Sequence, residues 1–67
     1  MATGKVKWFD AKKGFGFITP DDGGKDAFLR VSALQAANVQ SVSDGQAVSY
    51  ELTEQRGKMA ASNIALI

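Results

Sequence analysis

The run Lys13-Gly14-Phe15-Gly16-Phe17-Ile18 concentrates the residues most able to do chemistry. On an extended strand side chains alternate, so Phe15 and Phe17 share one face and Gly14, Gly16 and Ile18 share the other. Phe28 lies two residues before Arg30, and Trp8 follows Lys7, so rings recur beside cations. Aromatic faces among cations suit a ligand that is both flat and anionic. An unpaired base stacked on a ring is worth about 1–3 kcal/mol, and a nearby Lys or Arg neutralises phosphate and releases counterions. A duplex keeps its base faces occupied, so such a platform would select single strands.

The plain alternative is that these rings fill a core, where Phe is usually found. If the alternation from Asp26 to Val31 holds, turning Phe28 inward also turns Asp26 and Arg30 inward. Burying such charges without close partners costs several kcal/mol each. The cheaper arrangement leaves Phe15, Phe17 and Phe28 on a wet face with lysines around them. A small barrel with an aromatic groove could instead grip polyproline peptides, as SH3-type domains do, but the interleaved lysines argue against that ligand.

Catalysis has little to work with. The chain has no Cys and no His, which excludes disulfides, Cys/His zinc sites and Ser-His-Asp or Cys-His centres. No paired-carboxylate site is evident. Gly14-Phe15-Gly16 lacks the third Gly and the Lys-Ser/Thr of a phosphate-cradling loop. The expectation is a binding protein with no enzymatic activity, cofactor, metal or small-molecule substrate.

The elements that must position these residues read as strands and turns. At 67 residues and 7.1 kDa the chain makes one domain, 1–67, with a thin core. Strand-like runs cover Lys5–Asp10, Phe15–Thr19 (closed by Pro20), Asp26–Val31, a segment around Val48, Tyr50 and Leu52, and Met59–Ile67. Turns are expected at Asp21-Asp22-Gly23-Gly24, at Asp44-Gly45 and at Gln55-Arg56-Gly57-Lys58. Between Ser32 and Ser43 the chain reads as a loop with one helical turn, capped by Ser32. Five short strands leave bare edges unless they close, so a small five-stranded antiparallel barrel is expected. Its core should hold Val6, Ile18, Ala27, Leu29, Leu34, Val48, Leu52 and Ile64, with Ile64 and Leu66 on one face of the last strand.

Net charge is only +1, but residues 1–31 carry six cations against four carboxylates and residues 32–67 two against three. No apolar run is long enough to span a bilayer, and neither a signal peptide nor a lipidation motif is recognisable. A cytoplasmic, monomeric protein without membrane contact is the resulting expectation.

Lys13-Gly14-Phe15-Gly16-Phe17-Ile18 resembles the first ribonucleoprotein motif. In RNA-recognition-motif domains that motif follows a helix; here it starts at residue 13 with no helix ahead, which does not fit that fold. The whole chain instead resembles a bacterial cold-shock protein, through Gly4-Lys5-Val6-Lys7-Trp8-Phe9, Lys13–Pro20, Asp26-Ala27-Phe28, Ser32-Ala33-Leu34, Gly45-Gln46 and Ala60-Ala61-Ser62-Asn63-Ile64. The resemblance implies a five-stranded OB-fold barrel that binds single-stranded RNA and DNA, and the expectation is that such a binder acts as an RNA chaperone. It also implies a nucleic-acid face of Lys7, Trp8, Phe9, Lys13, Phe15, Phe17, Asp26 and Phe28. Strict alternation cannot turn both Trp8 and Phe9 outward, so one is lateral or the strand bulges. The chain departs from the family at Arg30, where His is usual, and at Val31 and Val39, where aromatics are usual. Arg30 can compensate in part, because a guanidinium plane stacks on bases and meets phosphate. Met59 stands where the family often has Pro.

Overall fold

The computed structural model describes residues 2–40 and 42–67, with the side chain of Gln55 left out. Ser41, in the expected loop, lies outside the described residues. The elements run β1 (Ala2–Asp10), β2 (Phe15–Pro20), β3 (Ala27–Arg30), α1 (Val31–Ala36), β4 (Ala47–Gln55) and β5 (Lys58–Leu66). The strands close into a barrel in the order β1-β2-β3-β5-β4. This is the expected five-stranded OB-type barrel, with one departure from an all-antiparallel sheet. β3 and β5 meet in parallel, through Phe28 opposite Ala60. Both strands approach that seam in the same direction because α1 and β4 intervene between them.

The core is Val6, Ile18, Ala27, Leu29, Leu34, Val48, Tyr50, Ala61 and Ile64. Every expected core residue is present except Leu52, which is 42% exposed. β4 and β5 run past the end of the barrel as a two-stranded hairpin, where each residue from Glu51 to Glu54 is exposed. Leu52 has the inward parity but little core to meet. Leu66 is likewise exposed, at the outer end of β5, and does not share the burial of Ile64. The β4–β5 register slips between Ser49 and Glu51, so buried positions on β5 fall at Ala61 and Ile64, three apart instead of two.

The helical turn is real but starts earlier than expected. Arg30 occupies its N-cap position with extended angles, and no side chain caps it, so Ser32 lies inside the helix and does not cap it. Val31 is therefore helical, and β3 stops at Arg30. The Val31 amide donates to the Gly14 carbonyl at 2.9 Å, which ties the helix to the β1–β2 turn. Among the described residues, no helix is long and apolar enough to cross a membrane.

Candidate nucleic-acid interface

The site is assembled by three adjacent strands. Trp8 lies opposite Phe17 in the β1–β2 ladder, and Phe17 lies opposite Phe28 in the β2–β3 ladder. Directly opposite residues point to the same face, so the three rings converge. Phe15, two residues before Phe17, joins them. The result is a closed cycle of ring contacts: Trp8–Phe15 at 5.7 Å between centroids, Phe15–Phe28 at 5.5 Å, Phe28–Phe17 at 5.6 Å and Phe17–Trp8 at 5.4 Å. All four are half-buried and none belongs to the core cluster. Their edges support one another while the outer surface stays open.

Trp8 reaches this face through an irregularity in β1. The pairing passes from Val6 opposite Ile18 directly to Trp8 opposite Phe17, leaving Lys7 as an extra residue. That bulge resolves the parity conflict between Trp8 and Phe9. Trp8 joins the ring cycle, whereas Phe9 packs against the core and contacts none of the four rings. Gly16 makes the crossing possible. A Cβ there would run into the Trp8 carbonyl oxygen and lie 2.6 Å from the Phe9 Cα. The preceding turn is held by Asp10, whose Oδ1 accepts the Lys12 and Lys13 amides at 2.9 and 3.3 Å. Gly14 completes it with φ +81°, a left-handed angle that disfavours other residues.

Charges surround the rings. The Arg30 guanidinium carbon lies 5.3 Å from the Phe28 centroid, within cation–π range. Arg30 makes no ion pair among the described residues; Asp26 pairs instead with Lys7, Nζ to Oδ2, at 3.2 Å. Lys13 is exposed at the edge of the β1–β2 turn. An open groove of about 1220 Å³ borders Phe17 and Phe28 and takes in Lys25, Arg30, Arg56 and Lys58, with Asp26 and Glu54 as its carboxylates. Sequence reasoning missed Lys25, Arg56 and Lys58. They come from the β2–β3 turn and from the tip of the β4–β5 hairpin, where Arg56 and Gly57 both have positive φ. A signal was available: two cations flank Gly57 in a recognisable turn. Their distance in sequence from Phe17 concealed that they border the same groove.

Farther from the rings, Lys5 and Asp21 form a 3.0 Å ion pair. The hydrogen bond from Lys5, followed by that from Thr3, holds the Asp21 carboxyl below its usual range.

Residues 2–67 match the family model of the "cold-shock" DNA-binding domain. The chain is 56% identical over 66 residues to a probable cold shock protein, y4cH, of Sinorhizobium fredii, covering 96% of each. It is 50% identical over 64 residues to the cold shock-like protein CspE of Escherichia coli K12, covering 94% of this chain and 93% of the relative. To the cold shock-like protein CspG of the same strain it is 48% identical over 65 residues, covering 96% and 93%.

Proposed function

The chain belongs to the cold-shock domain family, whose members bind nucleic acid, and on that premise we propose that it binds single-stranded RNA and DNA and acts as an RNA chaperone. The observation that carries this reading is the cycle of four half-buried rings bordered by cations, of which Arg30, Lys25, Arg56 and Lys58 make no ion pair among the described residues. Trp8, Phe15, Phe17 and Phe28 offer faces to unpaired bases, whereas Phe9 packs against the core. Lys7, Lys13 and Arg30 meet the phosphates near the rings, and Lys25, Arg56 and Lys58 extend that track along the groove. Asp26 fixes Lys7 in the free protein and offers acceptor oxygens to base N–H groups.

No chemical step is needed for chaperone activity. Binding only the unpaired form stabilises it by RT ln(1 + [L]/Kd), which biases hairpins toward opening without nucleotide hydrolysis. Stacking is sequence-tolerant because every base has a π-face. Two of the family's usual rings are replaced by Val31 and Val39, so affinity leans more on charge here than in relatives with the full set. Quenching of Trp8 fluorescence by hexathymidylate, with a duplex of equal length as control, tests the reading. Quenching by the single strand alone is expected; equal quenching by the duplex refutes it.

A further inference from the structure

Arg30 borders two cavities. One is the groove beside the rings; the other is a separate pocket of about 230 Å³ lined by Arg30, Ser32, Thr53 and Ser62 with alanines between them. The hydrogen bonding of its hydroxyls restricts what the pocket can accept. Thr53 Oγ1 donates to the Ala60 carbonyl at 3.2 Å, and Ser62 Oγ donates to the Glu51 carbonyl at 3.4 Å. A carbonyl oxygen only accepts, so the Thr53 and Ser62 protons are committed and their oxygens are left with lone pairs, while Ser32, with no side-chain hydrogen bond among the described residues, can donate or accept. Arg30 contributes the opposite character: a fork of N–H donors with no ion-pair partner among the described residues.

An occupant must therefore bring two adjacent acceptors for the fork and donors for the oxygens. Phosphate meets only the first demand and sets its oxygens against those of Thr53 and Ser62. Adenine places a donor beside N7, cytosine offers a donor where the fork needs an acceptor, and thymine or uracil offers a lone O4. Guanine has O6 and N7 side by side, the usual target of an Arg fork, with N–H donors on its neighbouring edges. The alanine lining leaves space for a flat base.

We propose that this pocket binds a guanine base, and that Arg30 gives an otherwise sequence-tolerant platform a preference for one G in its single-stranded ligand. The inference rests on the single-strand reading above. It is tested with six hexathymidylates that each carry one G, at successive positions, titrated against the protein alongside plain hexathymidylate. At one position G should tighten binding about tenfold, within the discrimination typical of a bidentate base contact. Replacing that G by 7-deazaguanine, which lacks N7, should remove most of the gain without altering the protein. In Arg30→Lys the G-to-T affinity ratio should fall toward one, because the charge remains and the fork does not.

Equal affinity for all the hexamers overturns the pocket while leaving the stacking reading intact. An unchanged ratio in a folded Arg30→Lys protein also overturns it, as does a terminal phosphate on hexathymidylate that matches the gain from G. Failure of plain hexathymidylate to bind overturns the underlying reading.

Discussion

Replacing Phe17 separates stacking from packing. Two of the four contacts in the ring cycle run through it, at 5.4 Å to Trp8 and 5.6 Å to Phe28. Each aromatic pair is worth about 0.5–1.5 kcal/mol beyond burial, so Phe17→Ala would lose about 1–3 kcal/mol of stability from pairs alone. A domain of this length holds only about 3–10 kcal/mol in total, which makes Ala a poor probe of binding. Phe17→Leu forfeits the same ring pairs, about 1–3 kcal/mol, but keeps most of the buried volume and so avoids the further loss that truncation to Ala adds. What Leu cannot supply is the π-face. The lost stack should weaken hexathymidylate binding by about 1–3 kcal/mol, roughly 5- to 150-fold. The assay is fluorescence anisotropy of a labelled oligonucleotide, because Phe17 touches Trp8 and its loss would change the intrinsic signal. Repeating the titration across salt adds a second criterion. A ring neutralises no phosphate, so the slope of log K against log salt should stay at the wild-type value. Wild-type affinity in a folded Phe17→Leu protein would refute the stacking argument, and a shallower slope would show that the substitution had disturbed the cations instead.

Asp26→Asn should raise affinity about two- to fivefold at low salt, the scale of an exposed ion pair, because it releases Lys7 while keeping an acceptor oxygen. A loss of affinity would mean that the ligand needs the charge or both oxygens of the carboxylate, not one acceptor oxygen. The six cations placed on the phosphate track (Lys7, Lys13, Lys25, Arg30, Arg56 and Lys58) limit the single-strand salt slope to about −4 or shallower; a steeper slope would require cations from another face. Tyr50→Phe should stabilise the fold by about 1 kcal/mol, or about 4–8 °C in Tm, by removing a buried hydroxyl that has no hydrogen-bond partner. Burial also raises the Tyr50 pKa above 10.0, with Asp22 and Asp21 adding to the effect. The neutral phenol is thus favoured in the fold, and its contribution is complete below pH 10 and declines as pH rises toward the folded value. An alkaline unfolding curve unchanged by Tyr50→Phe would contradict that assignment. Asp21 acts with the opposite sign: its lowered pKa adds stability above about pH 3.8 that is lost on further acidification, so Asp21→Asn should flatten the acid limb of an unfolding titration.

Much of this was legible in residue alternation. Phe15, Phe17 and Phe28 lie together because the opposite faces of β2 and β3 carry Ile18, Ala27 and Leu29, which fill the core. An inward Phe28 would have buried Asp26 and Arg30; in the structure Phe28 is half-buried and Arg30 exposed. Leu52 was misplaced for a reason that alternation cannot express. Period two says which way a side chain points, not whether anything lies opposite, and β4 outruns the core at that residue. Lys25, Arg56 and Lys58 were missed because a groove joins segments through closure of the barrel, at the parallel β3–β5 seam, and local pattern carries no information about closure.

The bulge at Lys7 shows how a local conflict can be read as structure. Lys7-Trp8-Phe9 cannot be accommodated by a regular strand that turns both rings to one face. The fold inserts one residue, after which parity is reversed: Val6 points into the core, Trp8 joins the outer rings and Phe9 turns back to the core. This arrangement needs a partner strand without a side chain at the crossing, which Gly16 supplies. Gly16 therefore bears on where Trp8 points through the backbone alone. Gly16→Ala would force a Cβ against the Trp8 carbonyl, and the backbone could yield only by undoing the slip that turns Trp8 outward. The expected result is a loss of more than about 2 kcal/mol of stability together with a blue shift or altered intensity of Trp8 emission. Emission and stability both unchanged would mean that Trp8 reaches the outer face without the close crossing.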